Sequence, residues 1–201
     1  WNLYVEGIGV GQHYGYIAWG PNWDYDENFY PYSTIGFTAD ADEHGNRFNP
    51  NKLLSDPYAK AYHRPHDWSK GSVASGPWRD ESTYSAGAKS VIIDSDYEWS
   101  ANETSWREQR QQDGVHGFNE LIFYEVHLKG FTQNSASGVE HPGTYRGFGE
   151  NAAYLGELGI NAVELLPIHQ KEASLGGYWG YSNLSYFAPE ITYSDDFQRT
   201  G

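Results

Sequence analysis

Leu121-Ile122-Phe123-Tyr124-Glu125-Val126-His127 and Asn161-Ala162-Val163-Glu164-Leu165-Leu166-Pro167 are the two densest apolar runs of the chain. Each is too short for an ordinary helix and reads as a strand buried on both faces, as in a parallel sheet. Between them Phe148, Ala152, Leu155 and Gly159 recur at helical spacing, flanked by Ala153, Tyr154 and Leu158. Gly159 stands where a helix C-terminus favours glycine. Strand, helix and strand together predict one βαβ unit with parallel strands and a right-handed crossover. The connection over 129–146 is long for such a unit, and long loops commonly carry function.

Upstream the texture differs. Trp1, Leu3 and Val5, then Tyr14, Tyr16 and Ala18, alternate with polar residues around Gly7, Gly9 and Gly11, which predicts a hairpin-like β pattern. Pro21, Pro31, Pro50, Pro57, Pro65 and Pro77 interrupt the next hundred residues, and Ser90-Val91-Ile92-Ile93-Asp94 reads as a short strand. The stretch 40–46, Asp40-Ala41-Asp42-Glu43-His44-Gly45-Asn46, reads as a solvated turn, because it lacks the spacing and final Glu of a calcium-binding helix–loop–helix. Residues 94–119 are polar, with Trp99 and Trp106 as expected packing anchors.

Composition closes off several functions. The 201 residues carry 13 basic and 27 acidic side chains, a formal net charge of −14. Phosphate contacts need clustered Lys and Arg, so neither nucleic acid nor an anionic membrane surface is expected as a partner. Cysteine is absent, which excludes disulfides, thiolate-zinc sites and thiol nucleophiles. No apolar run approaches the length of a transmembrane helix. The glycines of the first strands do not form a dinucleotide fingerprint, and no serine-hydrolase elbow occurs. Aromatics make up 17% of the chain (8 Trp, 17 Tyr and 9 Phe), a supply that suits either a β-rich core or flat faces for sugar rings. Residue 1 is Trp and no Met occurs, so the chain reads as a processed form or a piece.

The run Tyr124-Glu125-Val126-His127-Leu128-Lys129-Gly130-Phe131-Thr132 resembles the first barrel strand of the isoamylase and glycogen-debranching branch of the α-amylase superfamily. Gly143-Thr144-Tyr145-Arg146-Gly147 is similar to the entry of its first barrel helix, and Leu158 to His169 to that helix's end and the second strand. Tyr178-Trp179-Gly180-Tyr181 through Tyr186-Phe187-Ala188-Pro189-Glu190 is similar to the loop that follows. Upstream, Tyr14-Gly15-Tyr16 with Ala18-Trp19-Gly20-Pro21 resembles the end of a starch-associated β-sandwich. Arg47-Phe48-Asn49-Pro50-Asn51-Lys52-Leu53-Leu54 with Asp56-Pro57-Tyr58-Ala59 resembles the link into the barrel.

The resemblance therefore implies a β-rich N-terminal part followed by the first βαβ portion of an incomplete (β/α)8 barrel. Residues 1–45 would end the β-sandwich, 46–119 would connect it to the barrel, and 120–201 would supply the first two strands and first helix. A whole barrel needs about 250 residues. The family's three catalytic carboxylates follow strands 4, 5 and 7, hence lie beyond residue 201, and no catalytic residue is expected within the chain. The implied activity is α-1,6 debranching of glycogen or amylopectin by a retaining mechanism, with branched α-glucan as partner and no cofactor. A branching enzyme, a trehalose-releasing hydrolase and a non-catalytic glucan-binding protein are the alternatives.

Individual residues are weighed against that chemistry. Retaining hydrolysis places two carboxyls roughly 5–5.5 Å apart. Glu125 and Glu164 occupy adjacent strands, but barrel sites form beyond the C-terminal strand ends, so a supporting role is expected for both. His127 and His169 at the strand ends are expected as hydrogen-bonded structural imidazoles. The resemblance implies a calcium site using an acidic residue just after the second strand. Here His169-Gln170-Lys171 stand in that stretch, a lysine opposes a cation, and no metal is expected. Tyr181 is the residue the resemblance assigns to stacking on glucose beside the cleavage point, with Trp179 and Tyr178 as further candidates. Trp19, Trp23, Tyr25 and Tyr30 form a second aromatic stretch that suits a glucan platform or packing at a domain junction.

Overall fold

The computed structural model describes residues 4–68, 76–103, 105, 108, 120–175 and 177–196. They fall into two compact units, one drawn from 4–92 with 169–191, the other from 93–168 with 192–196.

The second unit contains the βαβ element. Strand β3 (Phe123–Val126) pairs in parallel with β4 (Ala162–Leu165), in the register Phe123↔Ala162 through Val126↔Leu165. The expected two-sided burial does not hold. Ile122 and Phe123 are each 54% exposed, and Val163 and Leu165 are also open. Each strand has a single ladder neighbour among the described residues, and a two-stranded sheet cannot cover both of its faces.

The expected helix over 148–159 is broken in two. Helices α2 (Tyr145–Glu150) and α3 (Ala152–Glu157) meet at Asn151, which ends one and opens the next at φ −99° and ψ 12°. Glycines 147 and 149 and an asparagine make this a weak point, since both residue types have low helix propensity. Thr144 starts α2, its Oγ1 accepting the Gly147 N–H at 3.0 Å, a good side-chain cap. Gly159 ends α3 as expected, at φ +80°. The N–H of Ile160 donates to Leu155 O at 3.0 Å and that of Gly159 to Gly156 O at 2.9 Å, the paired bonds of a left-handed helix terminus.

The long connection over 129–146 carries regular structure of its own. It begins with helix α1 (Leu128–Thr132) and a 3₁₀ turn at Ser135–Ser137. Phe131 packs near Phe148 and Tyr154, at ring-centroid distances of 5.4 and 6.2 Å. Of the expected anchors, Trp99 is 69% exposed and touches Tyr97 edge-on; Trp106 lies outside the described residues. A tryptophan between polar neighbours does not by itself guarantee a surface to bury it.

The first unit has little regular structure. Strand β1 (His13–Tyr14) pairs antiparallel with β2 (Ser90–Val91), while Tyr16 and Leu54 exchange backbone bonds at 2.8 Å. The first twenty residues thus form no local hairpin where described; their edges are satisfied by distant segments. The turn at 40–46 is as expected: Asp42 Oδ1 accepts the N–H groups of His44 and Asn46, and its carboxyl is held below the usual range by hydrogen bonds led by Asn46.

Buried amides organise this unit. Asn22 donates to Ala39 O and Phe48 O and accepts the Phe48 N–H. Asn51 donates to Ser33 O and accepts the Tyr32 N–H. Lys52 donates to Trp78 O and Glu81 O, at 3.0 and 2.6 Å, and burial pushes its ammonium below the usual lysine value. Such bonds replace ladders as the answer to buried backbone groups. A small apolar centre joins Ala59, Tyr62, Ala88 and Ala188. Trp23 also belongs to the interior: it is 1% exposed, and its indole donates to Ile35 O at 2.7 Å. It therefore cannot serve a surface platform, whereas Tyr25 and Tyr30 are exposed. Trp19 makes edge contacts with Tyr25 and Phe29.

Candidate functional site

The segment 169–191 folds back on itself within the first unit. His169 bridges Pro189, Lys171 bridges Asn183, Glu172 N donates to Ser182 O at 2.7 Å, and Leu184 N donates to Gln170 O at 2.8 Å. Its base is clasped by two buried side chains. Glu190, 1% exposed, accepts Gln170 Nε2 at 3.1 Å and the Lys171 N–H at 3.0 Å, while Gln170 Oε1 accepts the Ile191 N–H. A carboxylate removed from water needs such donors.

The tip carries the three candidates. Tyr178 and Trp179 meet edge-on at 5.6 Å, and both are about half exposed; Tyr181 is 68% exposed. Gly177 and Gly180 bracket the pair at φ +54° and +83°. Exposed rings on a loop with a fixed base can lie against the C–H face of a sugar. The structure brings Tyr178 and Trp179 into contact, with Tyr181 exposed just beyond Gly180 in the same segment.

The other weighed residues take structural positions. Glu125 and Glu164 are register partners in the β3–β4 ladder, and both are exposed. His127 caps α1: its Nδ1 accepts the Gly130 N–H at 3.0 Å, which leaves Nε2 to carry the proton facing Tyr193 Oη at 3.5 Å. His169 makes an edge contact with Tyr186. In the stretch after β4, Gln170 is committed to Glu190 and Ile191, and the ammonium of Lys171 donates to Gly177 O at 3.2 Å.

One cluster was not foreseen from the sequence. Glu140, His141 and Glu150 bring potential ligand atoms within 4.8 Å of one another. Within it His141 Nδ1 lies 2.6 Å from Glu150 Oε1, and Glu150 Oε2 accepts the N–H groups of Glu140 and His141. The hydrogen bond from His141 leads the causes that hold the Glu150 carboxyl below its usual value. Among the described residues no helix is long and apolar enough to cross a membrane.

Comparison with known proteins bears on the origin of this arrangement. The isoamylase of Pseudomonas amyloderamosa is 36% identical over 96% of the chain, and that of a Flavobacterium species 38% identical over 97%. The glycogen debranching enzyme of Klebsiella pneumoniae is 32% identical over 99%. The chain belongs to the isoamylase and glycogen-debranching family. It spans 26% of the length of each isoamylase and 28% of the debranching enzyme. No protein-family model matches it. Among solved structures, the pullulanase SAP of Group B Streptococcus, in complex with maltotetraose, is similar in fold, with a TM-score of 0.50 and 23% identity over 73% of this chain and 19% of that one. The partial coverage accords with the open β3–β4 pair, which forms no closed barrel among the described residues.

Proposed function

We propose that this chain is part of a glycoside hydrolase that opens α-1,6 branch linkages in glycogen or amylopectin. The similarity to isoamylases along almost the whole chain carries this reading. Residues 1–45 form the end of a β-sandwich, 46–119 connect it to the catalytic body, and 120–201 open a (β/α)8 barrel. The nucleophile and the acid/base carboxylate of a retaining mechanism come from residues outside this chain. They form and resolve a glycosyl-enzyme intermediate across a gap of roughly 5–5.5 Å. The chain alone is therefore inactive.

Within that mechanism the chain binds and orients. Tyr181 stacks on the glucose unit beside the cleaved bond, and Trp179 and Tyr178 extend the aromatic wall. Stacking orders the sugar and excludes water on one side, which favours attack by positioning. Incubation of the full-length protein with amylopectin tests the reading. Release of linear chains is expected. New branch points would mark a branching enzyme, trehalose a trehalose-releasing hydrolase, and binding without any product a non-catalytic glucan-binding protein; each overturns the proposal.

A further inference from the structure

We infer that Lys171 is a positioning residue, whose ammonium braces the aromatic tip for glucan; this rests on the reading of Tyr178, Trp179 and Tyr181 given above. Two observations meet at this side chain. Its backbone belongs to the rigid base, because its N–H donates to the buried Glu190 carboxylate at 3.0 Å and it bridges Asn183. Its Nζ leaves that base and donates to Gly177 O at 3.2 Å, on the residue just before Tyr178.

The tip needs such a tie. Tyr178 and Trp179 stand between Gly177 and Gly180, both left-handed, and glycine gives up the most backbone freedom on ordering. A loop ordered only on binding takes that cost out of the affinity, whereas one held beforehand does not. Lys171 ties the base of the segment to its tip and lowers that cost. The bond is exposed, so its effect is modest and falls on binding.

The test uses the full-length protein with maltotetraose as the binding probe and a branched oligosaccharide as substrate. Lys171→Met is expected to weaken maltotetraose binding and raise KM by about fivefold, the size of one net hydrogen bond, with kcat nearly unchanged. Lys171→Arg restores most of the affinity, because its guanidinium can also reach Gly177 O. Unchanged affinity in Lys171→Met overturns the inference. So does a loss that Lys171→Arg fails to rescue, or one that accompanies a lowered unfolding midpoint, since these mark a purely structural lysine. A wild-type protein that binds no maltotetraose overturns the glucan reading itself, and the inference with it.

Discussion

Asn51 holds Tyr32 in a left-handed backbone conformation. Its Oδ1 accepts the Tyr32 N–H at 2.8 Å, with Tyr32 at φ +71°, the one non-glycine residue so placed among those described. A β-carbon in that region costs about 1–2 kcal/mol, so the turn persists because the buried amide pins it. The same amide donates to Ser33 O at 2.9 Å. Asn51→Ala leaves these buried groups unmatched and should lower unfolding free energy by about 2–4 kcal/mol in urea titrations. Tyr32→Gly removes the backbone penalty and should leave stability equal or higher, because the Tyr32 ring is exposed. An Asn51→Ala protein as stable as the parent would show that the amide does not hold the turn.

Gly147 and Gly149 lie in one short helix and should respond oppositely to alanine. A β-carbon at Gly147 would stand 1.9 Å from His141 O, a backbone atom that cannot step aside cheaply. Gly147→Ala should cost about 3 kcal/mol. At Gly149 a β-carbon meets nothing within 4 Å, so Gly149→Ala should gain about 0.5–1 kcal/mol from helix propensity. Thermal unfolding of the two variants separates them. Equal effects would sink the packing argument.

Acid should weaken the first unit through two histidines. Burial pushes both His63 and His66 below the usual imidazole value. Around His63, a backbone bond to Lys89 opposes the shift, while His13, Arg64 and Lys89 add to it. Around His66, Glu172 and Asp67 oppose the shift and Arg64 adds to it. A depressed folded value means that the unfolded chain binds protons first. Stability from these groups is therefore complete above the unfolded value of about 6.5 and is lost as pH falls towards the folded values. Denaturant midpoints at pH 7.5 and 5.5 should differ in that direction, and the difference should shrink in His63→Gln and His66→Gln. A midpoint that rises on acidification would contradict the assignment.

Tyr181 should matter more to catalysis than its two aromatic neighbours. In the full-length protein, Tyr181→Ala is expected to lower kcat/KM on amylopectin by about tenfold or more, and Tyr181→Phe to retain most activity, because the ring face makes the contact. Tyr178→Ala should have a smaller effect. A fully active Tyr181→Ala protein would remove this residue from the site.

The parts of the fold legible from sequence are those with a short physical cause. The β3–β4 pair, the helical stretch between them, the Gly159 terminus and the Asp42 turn follow from side-chain spacing or one residue's backbone preference. The helix break at Asn151 was legible in principle, since two glycines and an asparagine weaken that turn; the regular apolar spacing of Phe148, Ala152 and Leu155 obscured it. The aromatic tip was visible as a cluster of rings, but its clasp was not. No local pattern marks Gln170 and Glu190 as partners; folding brings them together across the segment's base.

By itself the sequence determined the strand–helix–strand order and the aromatic cluster Tyr178–Tyr181, because periodicity and residue type act over a few neighbours. It also carried the family, through long words shared in order with isoamylases. Tertiary structure decided the rest. It paired β1 with β2, buried Trp23 while leaving Trp99 exposed, and set Asn22, Asn51 and Glu190 as buried hydrogen-bond centres. Those outcomes depend on which distant backbone groups need partners once water is excluded, and no local pattern of side chains encodes that.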